Sequence, residues 1–242
     1  MKLQIVSDIH LETRRNYPHI TKIGDFLALL GDIGNPFSMI YKDFLLLQAS
    51  KFDKVFLCLG NHEHYYHTYD ETVKKVQEIA SETNNIFLLN RTRIDLDENT
   101  ILLGATLWSF VSDEHKTNIL QKINDFRLIK DWSVETNNKQ HALDVEWISN
   151  EIQCDKNVIV MTHHTPLLKD TCHPIYEGND ICTAFSTDLS KLLKHPIKIW
   201  MSGHTHYSYD FMFNETRLVS NQMGYSGEHP ETNYIDGKCI EF

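Results

Sequence analysis

Long apolar runs, cysteine pairs and surplus positive charge are all missing from this 242-residue chain. No stretch approaches the ~20 consecutive apolar residues of a membrane helix, so no membrane association is expected. The opening Met-Lys-Leu-Gln-Ile-Val-Ser-Asp is a short apolar run that stops at a carboxylate. It has neither the long apolar region nor the small-residue cleavage site of a secretory signal. The five cysteines (Cys58, Cys154, Cys172, Cys182 and Cys239) are widely spaced and form no Cys-x-x-Cys pair. An odd, scattered set argues against a disulfide framework, and a reduced, cytoplasmic protein is expected. Cys172 and Cys182 flank a polar loop and read as two free thiols rather than a bridge or a metal site. With only ten glycines and six prolines there is no collagen-like or low-complexity tract, and no linker marks a domain boundary.

Lys and Arg number 23 against 33 Asp and Glu, a formal net charge of −10. That disfavours long nucleic acid as a partner, because phosphate-backbone affinity comes from Lys and Arg displacing condensed counterions. A local positive site survives this count, since bound cations do not enter it. Apolar residues make up 41% of the chain, ordinary globular usage. A chain this long can bury roughly 70–75% of its unfolded surface, and a single domain over 1–242 is expected. What is plentiful is histidine, with 14 copies, and the question is whether they are scattered or placed.

Apolar alternation and β-branched runs predict strands over Lys2–Val6, Asp25–Leu30, Lys54–Leu59, Asn85–Leu89, Thr100–Ala105, Asn157–Met161, Ile197–Met201, Tyr207–Phe213 and Thr216–Ser220. Helical spacing predicts helices over about Phe37–Ala49, Tyr69–Ser81, Ser133–Glu151 (with Ser133 as N-cap) and Thr187–Lys194. The mixture reads as α/β. Residues 108–132 are polar, aromatic and weakly periodic, and read as a cap or loop insertion.

Five strands end alike: Ser7-Asp8-Ile9-His10, Gly31-Asp32-Ile33-Gly34-Asn35, Gly60-Asn61-His62-Glu63-His64, Thr162-His163-His164-Thr165-Pro166 and Ser202-Gly203-His204-Thr205-His206. In α/β sheets, ligands lie beyond the carboxyl ends of strands, where loops converge. A rim of carboxylates and imidazoles is costly to leave bare, and bound cations remove that cost. Carboxylate, amide oxygen and imidazole without thiolate suit Mn²⁺, Fe²⁺ or Zn²⁺. Each fragment alone has a bland reading: Asp8-x-His10 as a surface turn, Gly31-Asp32 as a strand-ending turn, Gly60-Asn61-His62-Glu63 as the entry to a helix. Together and in this order they make a strong pattern.

In that order the blocks resemble the calcineurin-like metallophosphoesterase superfamily, whose pattern is D-x-H, G-D-x-x, G-N-H-[DE], a histidine in an H-x-P-like context, and G-H-x-H. The resemblance runs from Asp8 to His206. It implies a two-sheet mixed β-sandwich flanked by helices and a site for two divalent metal ions. By resemblance, Asp8, His10 and His206 would bind one ion, Asn61, His163 and His204 the other, and Asp32 would bridge them. His62 would be the catalytic histidine, oriented by Glu63. Asn35 stands where many members carry an acid, and His-His-Thr-Pro stands where His-His-Pro is frequent.

The implied activity is hydrolysis of a phosphomonoester or a small phosphodiester, nucleotide-derived ones included, by water that two cations activate. Cations about 3.5–4 Å apart would clamp phosphoryl oxygens and lower the pKa of that water. The fork of Arg127 suits a phosphate, and His164, beside a proposed ligand, is a second substrate-side candidate. The other reading is a non-catalytic scaffold or interaction module on the same fold. Such a chain should have lost ligands or the catalytic histidine, whereas His62 and seven candidate ligands are all present. Specificity is expected in the loops 65–69, 110–132 and 167–182. His64 and His67 read as pocket mouth or solvated helix entry, and His229 as incidental.

Overall fold

The computed structural model describes residues 1–225 and 232–242, so His229 lies outside the described residues. In chain order the elements are β1 (Lys2–Val6), β2 (Phe26–Leu30), α1 (Met39–Lys51), β3 (Lys54–Cys58), α2 (Tyr69–Ala80), β4 (Ile86–Leu88), β5 (Thr92–Asp95), β6 (Thr100–Gly104), α3 (Asp113–Lys122), α4 (Asp125–Leu128), α5 (Val134–Glu151), β7 (Asn157–Met161), β8 (Ile197–Met201), β9 (Asp210–Phe213), β10 (Thr216–Val219) and β11 (Cys239–Glu241).

They form two sheets, β11-β1-β2-β3-β4 and β5-β6-β7-β8-β10-β9. In the first sheet β1 to β4 run parallel, and β11 closes one edge antiparallel. In the second, β6, β7, β8 and β10 run parallel between antiparallel β5 and β9. Parallel strands buried on both faces read as unbroken apolar runs, as Phe26-Leu-Ala-Leu-Leu30 does. Its alternate side chains part company. Phe26, Ala28 and Leu30 face the second sheet, where Ile159, Met161, Ile199 and Met201 complete the central core. Leu27 and Leu29 face outward against Tyr41, Phe44 and Leu45 of α1 and Val76 and Ile79 of α2. On the far side α5 lays Ile148 against Ile101, Val158 and Trp200. The result is the helix–sheet–sheet–helix sandwich expected from the resemblance.

Local chemistry places the helices. Thr68 and Glu71 form a reciprocal capping box at the start of α2. Ser133 caps α5 through the Thr136 N–H at 3.1 Å. Ser38, rather than a residue near Phe37, caps α1 and moves its start to Met39. One expected helix is absent. The helix expected over Thr187–Lys194 is only a 3₁₀ turn at Ser190–Leu192. Asp188 takes the Ser190 N–H into a side-chain turn there, and Pro196 disfavours helical backbone just before it. The 108–132 segment, expected as a cap or loop insertion, holds α3 and α4. The edge strands β5 and β11, short and partly exposed, went unread.

Parallel direction brings the carboxyl ends of β1, β2 and β3 to one rim, and those of β7 and β8 to the facing rim. A seam joins the sheets there. After β10 the chain crosses to the first sheet, where Ser7 donates to the Asn221 carbonyl at 3.1 Å and accepts from Met223 at 3.0 Å. The Asn221 amide donates to the Ile5 carbonyl at 2.7 Å. Among the described residues no helix is long and apolar enough to cross a membrane.

Candidate metal centre

The five strand-end loops meet at this seam. Three groups of side chains each bring ligand atoms within 4.8 Å of one another: Asp8, His10 and His206; His10, Asp32 and His62; Asp32, His163 and His204. Asp32 lies between them, with Oδ2 3.8 Å from His10 Nε2 and Oδ1 3.4 Å from His163 Nε2. Asn61 Oδ1 lies 3.1 Å from His163 Nε2. All seven ligand candidates therefore gather in one cluster, most of them almost wholly buried.

The backbone there is bent to aim these side chains. Asp8, His10, Asp32, His204 and His206 all have positive φ, between 51° and 74°. Residues other than glycine rarely adopt that region, and strain of this kind gathers at functional sites. Two glycines give the room. A Cβ on Gly31 would sit 2.5 Å from His163 Nδ1, and one on Gly60 would collide with the Asp32 carboxylate.

Hydrogen bonds behind the ligands fix which atom faces the site. His163 Nδ1 is 2.8 Å from the Leu30 carbonyl, so its proton sits there and Nε2 is left for a cation. His10 Nδ1 likewise faces Glu12 Oε1 at 2.9 Å. Asp8 accepts from the His204 N–H at 3.0 Å, and Asp32 from the His62 N–H at 2.9 Å.

The donor set fits divalent cations. Imidazole nitrogens face each other at 2.9 Å (His10 and His206) and 3.1 Å (His163 and His204), lone pairs that a cation can share. Burial works against charge on His163, yet Asp32 pulls its pKa up to about 9. Burial also raises the Asp32 carboxyl, but the charges of His163 and His62 outweigh it and lower it well below the usual range. The cluster calls for positive charge beside that carboxylate. Asp8, His10, Asp32, Asn61, His163, His204 and His206 would hold the ions.

His62 is held differently from expectation. Its Nδ1 faces Glu12 Oε1 at 2.9 Å, and its Nε2 lies 3.1 Å from the Tyr225 hydroxyl and 3.9 Å from Asp32 Oδ2. Burial disfavours its charge, but Asp32 and Glu12 raise it to about 9. Burial raises Glu12 too, and the hydrogen bonds from His10 and His62 outweigh this to hold it at about 2. Glu12, two residues beyond His10, therefore holds the position that the sequence reading assigned to Glu63.

Glu63 is a clamp instead. Fully buried, it accepts from the Asp32, Ile33 and Gly60 N–H groups at 3.0, 2.6 and 2.7 Å. It ties the loop carrying Asp32 to the loop carrying Asn61. Burial and the Asp32 charge push it up to about 7. Asn35 serves its own loop, its carboxamide oxygen accepting from the Phe37 N–H at 2.9 Å.

A cavity of about 350 Å³ opens over the cluster. Its floor includes Asp32, Asn61, His62, His204 and His206, and its walls come from Tyr65, the 122–125 stretch and the 172–186 loop. The expected specificity loops thus do line it. The two expected substrate contacts do not. Arg127 is exposed, lies outside the lining, and donates to Asn124 Oδ1 at 2.6 Å. His164 is buried behind His204, their rings 4.1 Å apart, with Trp108 on its other side. His64 is not at the pocket mouth either; it is buried and stacked on Tyr69. Asp125 and Tyr225 were missed. Both reach the site from sequence-distant segments with no motif to flag them.

The family described as Calcineurin-like phosphoesterase matches residues 1–208. An uncharacterized protein of Acanthamoeba polyphaga mimivirus is 35% identical, over 97% of this chain and 96% of its own. Two crystal structures share the fold. The Phosphopantetheinyl Hydrolase of Mycobacterium tuberculosis has a TM-score of 0.72 at 18% identity, over 93% of this chain and 89% of that one. A dimetal phosphatase from Danio rerio has a TM-score of 0.54 at 16% identity, over 91% and 87%. With its five blocks gathered at one seam and more than half its length matched, the chain belongs to the calcineurin-like phosphoesterase family.

Proposed function

We propose that this protein hydrolyses a small phosphoester, a monoester or a diester, at a two-cation centre built by its seven ligands. The observation that carries the reading is the placing of Asp32. One carboxylate oxygen faces His163 and the other faces His10 and His62, at the floor of a cavity open to substrate. Divalent ions held there would neutralise phosphoryl oxygens and make water a competent nucleophile near neutral pH.

The chain's own residues supply the rest. Glu12 fixes the His62 ring and favours its protonated form, so Nε2 presents a proton toward the cavity. There it can hydrogen-bond a phosphoryl oxygen or protonate the leaving oxygen. Tyr225, beside that nitrogen, borders the same space. The scaffold reading is weaker because no ligand and no part of the His62 arrangement is missing. The charge of −10 speaks for a small substrate rather than long nucleic acid. Five cysteines present as thiols accord with the cytoplasm.

The test is a screen of the metal-free protein reconstituted with Mn²⁺, Fe²⁺ or Zn²⁺. The substrates are aryl phosphomonoesters and diesters, cyclic nucleotides, dinucleotides, nucleoside diphosphate derivatives and a phosphopantetheinyl ester, the last suggested by the mycobacterial hydrolase's name. Turnover that requires metal is expected for at least one class. No turnover with any metal would favour the scaffold.

A further inference from the structure

Asn61 has one atom a cation can use, its carboxamide oxygen, because the amide nitrogen has no free lone pair. Which end faces the centre is decided by what the other end meets. Asn61 Nδ2 donates to Asp125 Oδ1 at 2.8 Å, and the Tyr65 hydroxyl donates to the same oxygen at 2.9 Å. Asp125 is only 4% exposed, so solvent does not substitute for it. An ionised carboxylate only accepts, so a flipped amide would set two oxygens against each other and turn the nitrogen toward His163.

Asp125 does not belong to the strand ends that carry the ligands. It opens α4, 64 residues from Asn61, in the segment that also walls the cavity. That segment is fastened to the loop after Asn61 by main-chain bonds, Tyr66 N–H to the Leu128 carbonyl at 2.7 Å and Lys130 N–H to the His67 carbonyl at 3.0 Å. Docking of the cap and orientation of a ligand therefore share one buried side chain.

We propose that Asp125 is a positioning residue that turns the Asn61 oxygen to the cation site and couples docking of the 113–128 cap to occupancy of that site. The inference rests on Asn61 being a ligand. Coupling is reciprocal: if a docked cap strengthens cation binding, cation binding must strengthen docking by the same factor.

The experiment titrates metal-free wild type, Asp125→Ala, Asp125→Asn and Asn61→Ala with Mn²⁺ by calorimetry, with bound metal counted. Hydrogen exchange of 113–130 is followed with and without Mn²⁺. Loss of a residue that orients a ligand weakens metal binding by about 10–100-fold, and Asp125→Ala is expected to do so at one equivalent while sparing the other. Asp125→Asn, which keeps an acceptor oxygen, should recover most of that loss. Mn²⁺ should slow exchange across 113–128 in wild type and not in Asp125→Ala. Wild-type affinity for both equivalents in Asp125→Ala, with Asn61→Ala weakened, would overturn the proposal. Wild-type affinity in Asn61→Ala would instead overturn the ligand assignment beneath it. If Asp125→Ala does not fold, the wild-type exchange decides alone, and cap protection insensitive to Mn²⁺ would refute the coupling.

Discussion

Glu12 shows how one side chain can set the chemistry of two others. Its Oε1 meets the Nδ1 atoms of His10 and His62, each at 2.9 Å. It thereby turns one Nε2 toward the proposed cation site and the other toward the cavity. His62 is held near a pKa of about 9, so it carries its proton at neutral pH and loses it as pH rises through that value. Asp32 is the first cause of that rise and cations beside it would oppose it, so activity that needs the proton should fall on an alkaline limb at or below that value. In Glu12→Gln the negative partner is gone, which disfavours the imidazolium. The limb should move down by about one pH unit, because an adjacent opposite charge is worth 1–3 pH units. A kcat profile from pH 6 to 10 at saturating Mn²⁺ checks this, and an unmoved limb would remove Glu12 from the role. Glu12 went unread because its partners are chosen in space: His62 is 50 residues away. Glu63, adjacent to His62, drew the sequence assignment, but its side chain points back into the loops.

At the scale of elements, much of the site was legible. Strands that end in Asp8, Asp32, Asn61, His163 and His204 are apolar runs broken by a carboxylate, amide or imidazole, and a run that is broken this way has a visible end. Seven candidate ligands converge because the strands that carry them run parallel within each sheet and the two rims face each other at the seam. The cap was not legible as helices. Its apolar residues, Val111, Ile119 and Phe126, pack in a small cluster apart from the sheets, too sparse for a clear helical period. The loops have their own rule, seen at Gly60. Its neighbour across the gap is the Asp32 carboxylate, so Gly60→Ala forces that carboxylate or the His163 ring aside. Overpacking costs about 1–3 kcal/mol, and displacing the carboxylate proposed to bridge the cations should weaken metal binding at least about tenfold. Urea unfolding with Mn²⁺ titration measures both, and wild-type values would mean the loops have slack that their geometry does not suggest.

For the whole molecule, an acidic chain carries a deep site that calls for positive charge. The chain's net charge is −10, yet at the seam between the sheets Asp8 and Asp32 stand among five imidazoles proposed as ligands or proton donor. Neither sheet alone makes the centre. The first supplies Asp8, His10, Asp32 and Asn61, the second supplies His163, His204 and His206, and the crossing after β10 holds them in register. Family and fold could be read from five motifs because motifs are local. The clamp by Glu63, the support from Glu12 and the buttress from Asp125 could not, because each is a contact between loops. In the proposed centre Asp32 assembles the cations while His62 acts on substrate beside them. The measurement that separates these roles is bound metal and phosphoester turnover on the same samples of wild type, Asp32→Asn and His62→Ala. Asp32→Asn should lose metal and turnover together, and His62→Ala should keep its metal and lose turnover. Full activity in Asp32→Asn, or metal loss in His62→Ala with turnover intact on reloading, would contradict it.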